Sequence, residues 1–318
     1  MKMNNRIFGI IGVGANKANW NADFEGNPRK YMGKYVASPF CLKYAYRNYW
    51  NEEDENVLFF KRYKELEAKK KENKGKIVVP LTLDDNLEKI IGKETDEKII
   101  QKKLFDFIDV SCFGGAFASK KFNRSYTGTI QFGYGENKYD ETECVRDALL
   151  SQFSTKEENK QTTIGSRTVL TEAHFFYDFK INPMVNKEFM AVDNSFEGFT
   201  KEAYEKFKEA SLICVNRLNS VSKAGCYNEF AMFVTLKEGS KKDLGILTKN
   251  VKFYKDDEDN NIIDLSLVEK DLLEIKEDIE NIELYYNPIN TIVKISDLDN
   301  MTVNNILSAK KIDFKELI

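Results

Sequence analysis

Apolar residues run almost unbroken through Ile-Phe-Gly-Ile-Ile-Gly-Val at positions 7–13, the pattern of a strand covered on both faces. Residues 6–13 therefore predict a first strand. Ser38-Pro39 predicts a helix start, with serine as cap and proline at the first helical position. That helix runs to about residue 50: Leu42, Tyr46 and Tyr49 form its core face, and Lys43 and Arg47, four apart, share another. Residues 51–107 read as an insertion with a lysine-rich helical stretch at 63–76, a short strand at 77–79 and a helix over 98–107. The middle of the chain turns to β. A strand at 107–112 leads into the small-residue run 113–118, which implies a close backbone approach. A second strand at 126–135 ends in a glycine turn. Polar residues 136–166 predict a protruding loop or hairpin, and 168–181 an aromatic-rich strand closed by Asn182-Pro183. Thr200 caps a helix whose Tyr204, Phe207, Cys214 and Leu218 line one face. A loop at 222–225 and a strand at 229–236 follow.

The resulting order, β-α-(insert)-β-β-(insert)-β-α-β, predicts an α+β fold: an RRM-like or ferredoxin-like sheet with large insertions, read as one elaborated domain over 1–318. With 318 residues, 42% hydrophobic and 13% aromatic, the chain can bury a large core. No apolar run is long enough to cross a bilayer and no signal-peptide pattern opens the sequence, so a cytoplasmic protein without a membrane partner is expected. The five cysteines lack CxxC spacing and read as reduced, mostly buried thiols. Net charge is −3, but unevenly spread: residues 1–50 carry eight Lys/Arg against two Asp/Glu, residues 251–318 eight against sixteen. That contrast favours a polyanion site near the N-terminus.

The candidate chemistry lies after the first strand. Residues 15–30 crowd asparagines, an exposed Trp20 and the basic pair Arg29-Lys30 into one loop. Amides donate and accept, an indole offers a flat face for a base, and Arg-Lys matches phosphate. The competing reading for Trp20 is a ring packed inward, as most tryptophans are. Two enzyme-like motifs lead elsewhere. Gly12-Val13-Gly14 follows a strand, but Lys17 occupies the third glycine position and no helix follows at once, which argues against a dinucleotide fingerprint. His174, the single histidine, lies among aromatics and reads as a satisfied core residue. Asp140, Glu141 and Glu143 show no metal spacing, so neither metal nor cofactor is expected.

Six blocks recur in order: ANWNADFEGNPRK at 18–30, CLKY at 41–44, IDVSCFGGAFA at 108–118, TGTIQFGYG at 127–135, EAHFFYDFKINP at 172–183 and GCYNEF at 225–230. Together they resemble the backbone subunit of type I-B CRISPR effector complexes (Cascade), within the repeat-associated RNA-binding (RAMP) superfamily, over about residues 5–236. The resemblance implies an RRM-like palm (about 5–50, 107–135 and 168–236), a helical fingers insertion (about 51–107) and a β-hairpin thumb (about 136–166). An acidic C-terminal extension from about 240 to 318 matches no motif. It further implies a non-catalytic protein that stacks head to tail along a CRISPR RNA and presents it for pairing with a target DNA strand. Other expected partners are a handle-capping subunit and a large subunit. At matched positions, Asn16, Lys17, Asn19, Trp20 and Asn21 are expected to border the RNA channel, with Asn27, Arg29 and Lys30 ending the same loop. Lys43 and Arg47 are expected to hold phosphate, Arg167 to lie at the base of the thumb and Lys223 before the last palm strand, with Gln131 and Phe132 as further RNA-binding residues. The alternative is an enzyme: type III backbone subunits cut target RNA with an aspartate after the first strand, and Asp23 is the one acid here in a comparable setting. The short aromatic and basic signatures of ordinary RRMs are missing, which disfavours a general single-strand binder.

Overall fold

The computed structural model describes residues 2–67, 76–118, 122–151, 163–289, 291–296 and 298–308. The chain opens with strand β1 (Ile7–Ala18), the short hairpin β2 (Lys30–Tyr31) and β3 (Lys34–Ala37), and helix α1 (Pro39–Glu52). The hydroxyl of Ser38 accepts from the Cys41 amide at the start of α1, as its capping position predicts. Next come β4 (Tyr63–Glu67), β5 (Lys76–Pro80), α2 (Leu83–Ile91), α3 (Glu97–Phe105), α4 (Ile108–Phe113), β6 (Gly114–Ala118) and β7 (Asn123–Thr127). Three strands, β8 (Ile130–Phe132), β9 (Gly135–Asn137) and β10 (Cys144–Ser151), precede the 19-residue β11 (Thr163–Ile181). Helices α5 (Lys187–Val192) and α6 (Lys201–Ile213) lead to β12 (Cys226–Leu236). The acidic end forms β13 (Lys252–Lys255), β14 (Asn261–Asp264), α7 (Ser266–Leu273), β15 (Ile279–Tyr286), β16 (Thr291–Lys294) and β17 (Met301–Asn305).

Several elements depart from the sequence reading. The expected helix at 63–76 is instead strand β4, paired antiparallel with β5 from Tyr63↔Pro80 to Glu67↔Lys76; residues 68–75 lie outside the described residues. Ile77, Val78 and Val79 on β5 favour extended backbone, and Tyr63–Glu67 pairs with that strand instead of forming a helix. The apolar run at 107–112 is not a strand but α4, buried along its whole length and ended by Gly114 at φ 69°. A short apolar run fits either a buried strand or a buried helix, and periodicity alone does not choose between them. The expected strand at 126–135 is broken into β7, β8 and β9, with Gly128 and Gly133 in the gaps. α6 stops at Ile213, so Cys214 and Leu218 lie outside it; Thr200 does cap it, accepting from the Ala203 amide.

Two compact units divide the chain. The first takes Met1–Asn4, Arg47–Gln131 and Asn182–Phe207. Its core gathers Leu58, Leu87, Ile100 and Leu104 from the insertion with Val110 on α4 and Phe117 on β6. Asp109, wholly buried on α4, accepts from the amides of Leu58 and Phe59 and from Arg47 Nε at 3.0 Å. A buried carboxylate is costly unless paired and hydrogen-bonded, and these three donors meet that need.

The second unit takes Asn5–Tyr46, Phe132–Ile181 and Lys208–Ile318. Its sheet runs β17-β15-β12-β1-β11-β9-β3-β2, with β10 hairpinned onto β11. β1 is antiparallel to both neighbours, with Ile7↔Ile181 on one side and Ile7↔Thr235 on the other. The acidic stretch is part of this architecture: β15 pairs β12, and Phe253, Ile263, Leu265, Val268 and Leu284 join Phe8, Ile10 and Phe230 in one core.

The glycines at 12–14 serve this sheet. Gly14 lies between His174 on β11 and Tyr227 on β12, and a Cβ there would collide with the Tyr227 ring. His174 is fully buried, with Nδ1 2.8 Å from a Glu229 oxygen and Nε2 3.2 Å from Glu172. Its ring stacks on Phe253 at 3.7 Å, and Lys255, two residues on, pairs with Glu172 at 3.0 Å. β13 is thereby tied to the central strands. Burial pushes His174 toward its neutral form, but Glu229 and Glu172 outweigh it and the pKa ends above the ordinary histidine value. Stability from such a group is full below the unfolded pKa of about 6.5 and is lost as pH rises through the folded value. The melting temperature is therefore expected to fall from about pH 6.5 upward, and His174→Gln to flatten that fall. Thermal melts across the pH series read the slope even if the variant is less stable throughout; parallel slopes would contradict the assignment.

Candidate nucleic-acid interface

β1 continues five residues past the predicted end at Val13, because both neighbours keep pairing with it: to Ala18↔Leu170 on β11 and to Ala15↔Cys226 on β12. Its last turnable residues are exposed. Asn16 and Lys17 face solvent, and Lys17 holds φ 47°, a left-handed conformation that a residue with a Cβ rarely adopts. The loop before β12 is zipped onto this strand end: the Asn16 amide donates to Gly225 O and the Asn19 amide to Ser222 O. Gly225 is required there, since a Cβ would meet the Asn16 carbonyl.

Trp20 corrects the expectation of an exposed indole. It is 1% exposed, and its Nε1 donates to the Tyr177 hydroxyl at 2.6 Å. Its carbonyl accepts from Cys41 Sγ, and burial pushes that thiol up to about 11. A tryptophan so placed contributes on the order of 3–5 kcal/mol to packing; it anchors the loop and offers no free face for a base. Asn19 is buried beside it, donating to the carbonyls of Gly26 and Thr168. Asn21 Oδ1 accepts from the Ser38 amide at 2.7 Å, fixing the loop to the start of α1. Lys223 Nζ donates to the carbonyls of Asn19 and Trp20 and lies 5.5 Å from the Trp20 ring centre. Four of the predicted residues are thus the frame of the loop.

What the frame presents is different. Asp23 Oδ1 accepts from the amides of Glu25 and Asn27, and Gly26 N donates to Asp23 O, closing a turn whose tip is Phe24. Asn27 Oδ1 accepts from Thr168 Oγ1 on β11 at 3.2 Å. Arg29 is half-buried, and its Nε, itself shielded from solvent, has no hydrogen-bond partner among the described residues. Lys30 is exposed, with Nζ 4.3 Å from the Tyr35 ring centre. Arg167 lies on the β10–β11 hairpin, paired with Asp147 at 3.2 Å. Arg146, which the sequence reading missed, lies opposite Thr168 on the same hairpin and donates to Ser166 Oγ.

The remaining predicted residues are Lys43, Arg47, Gln131 and Phe132. Lys43 is half-buried on α1. Arg47 belongs to the first unit and is committed to Asp109, with the rings of Phe59 and Phe113 5.6 Å away. Gln131, also of the first unit, is exposed and donates to Gly128 O. Phe132, half-buried, packs its ring against Tyr46 and Phe179. Among the described residues no helix is long and apolar enough to cross a membrane, and no group of three or more His, Cys, Asp or Glu is placed to hold a metal.

Two solved structures share the fold over nearly the whole chain. One, described as "CRISPR RNA-guided surveillance complex, pre-nicking", matches at 12% identity and TM-score 0.54, covering 94% of this chain and 95% of that chain. Another, "CRISPR RNA-guided surveillance complex", matches at 13% identity and TM-score 0.53, covering 94% of each. No curated protein sequence matches. The family described as CRISPR-associated protein Cas7 matches residues 5–272, which takes in β1, the Asn-rich loop, both insertions, β12 and most of α7, and the chain belongs to that family.

Proposed function

We propose that this chain is the CRISPR RNA-binding backbone subunit of a surveillance complex of type I-B. The observation that carries the reading is the Cas7 family match over residues 5–272. In this reading the sheet of the second unit is the RRM-like palm, the insertion of the first unit the fingers, and the β10–β11 hairpin the thumb; residues 152–162 at its end lie outside the described residues. Copies stack head to tail along the guide in the cytoplasm, with a handle-capping and a large subunit at the ends or flank. The guide is gripped by its backbone and left free to pair with target DNA, so base pairing reads the sequence. Asn16, Lys17, Asn27, Arg29 and Lys30 form the grip, supplemented by Lys43, Arg167 and Arg146. Trp20, Asn19, Asn21 and Lys223 act by holding that loop.

Phosphate contacts have a signature in salt. Replacing Lys17, Arg29 and Lys30 by Gln should weaken binding of unrelated RNAs alike. Each lost contact should flatten the log–log salt dependence by roughly 0.7 for a single strand. Titrations at several salt concentrations with two unrelated RNAs measure this; unchanged slopes in the triple variant would remove these residues from the interface.

The same reading makes the chain non-catalytic. Asp23 already has structural work, since its Oδ1 closes the 23–27 turn. Purified protein with guide and complementary RNA or DNA, with magnesium, is expected to give no cleavage products. Products that vanish in Asp23→Asn, a change that keeps an acceptor for both amides, while RNA binding persists would establish the type III-like alternative.

A further inference from the structure

We infer that Phe24 is a base-stacking residue, taking the role that the buried Trp20 cannot fill. This rests on the proposed RNA-binding function. Phe24 is 97% exposed, the most exposed large apolar side chain among the described residues. Scattered surface apolar residues are ordinary; the way this one is held is not. The Asp23 amide donates to Asn27 O at 2.8 Å, Gly26 N to Asp23 O, and the Asp23 carboxylate takes the amides of Glu25 and Asn27. Ala22 and Pro28 bridge the base of the turn, and Gly26, at φ 87°, is anchored through its carbonyl to the buried Asn19 amide. The backbone under Phe24 is therefore fixed before any ligand arrives, which lowers the ordering cost of binding.

Charge decides which part of a nucleic acid meets this ring. Asp23 and Glu25 flank Phe24 directly and repel phosphate from the tip. Half-buried Arg29 and exposed Lys30 lie just beyond the turn. A strand with its phosphates on Arg29 and Lys30 would turn a base, not its backbone, toward Phe24. Every base has a π-face, so stacking of this kind holds a guide of any sequence.

The test uses the full chain and a short single-stranded RNA, shown by light scattering to seat one copy, with 2-aminopurine scanned along it. Wild type should quench 2-aminopurine fluorescence at one position. Phe24→Leu, apolar but not aromatic, should lose that quench and roughly tenfold in affinity, with the salt slope unchanged because no charge is lost. Phe24→Trp should retain both. A Leu variant that matches wild type in affinity and quenching would overturn the assignment while leaving the RNA-binding reading intact. A loss confined to RNAs long enough for several copies would overturn it in favour of a protein–protein contact. Wild type that shows no salt-dependent RNA binding at all would overturn both.

Discussion

Everything on the candidate surface depends on one strand being paired along both edges. β1 runs between β11 and β12 in antiparallel register, and the pairing persists beyond the apolar run that marks the strand in sequence. Backbone hydrogen bonds, not side-chain hydrophobicity, carry it to Ala18. Each is worth about 0.5–1.5 kcal/mol net, but an interrupted ladder would leave buried donors and acceptors unpaired at higher cost. Because β1 ends where it does, Asn19 and Trp20 drop into the core at once and the loop that follows starts from a rigid post. The glycine slot at Gly14 belongs to the same constraint, since it admits the Tyr227 ring over the strand. Lys17, held left-handed at the exposed end, is the local cost of this arrangement.

The sequence made some of this legible for physical reasons. β1, β11, β12 and α1 have long, strongly patterned apolar faces, and the Ser38-Pro39 start is a chemical signal at two adjacent positions. His174 was readable as a core residue because a lone histidine among aromatics has few other uses; its two carboxylate partners come from different strands and are not visible along the chain. α4 and β4 were misread because short segments are decided by tertiary partners: Asp109 serving the amides of Leu58 and Phe59 in one case, the β5 edge in the other. In the loop after β1, residue types alone do not separate side chains that face solvent from those that hold the loop. An asparagine or tryptophan can contact a ligand or hold the loop, and only the structure shows Trp20 bonded to Tyr177 and Asn21 to Ser38. Phe24 and Arg146 carried no signal that distinguished them from surface residues.

Charge is arranged along the same sheet. The strand order places the basic hairpin β2–β3, with Lys30 and Lys34, at one edge, and β15 and β17 of the acidic end at the other. In the proposed assembly one face of each copy meets a different face of the next, a heterologous contact that leaves the row open. The two edges differ, with Lys30 and Lys34 at one and the uncharged strand β17 at the other, and a difference of this kind acts more on orientation and encounter than on affinity. With an overall charge of −3, the chain as a whole is not basic, so any attraction for a polyanion would have to be local.

An open row has no intrinsic length; the RNA must supply it. Light scattering on the protein with a series of RNAs of increasing length tests that claim most directly. The account predicts a monomer or small oligomer without RNA, and particles whose mass rises in regular steps with RNA length. A mass that stays fixed across the series, or a closed dimer that is the same with and without RNA, would contradict it.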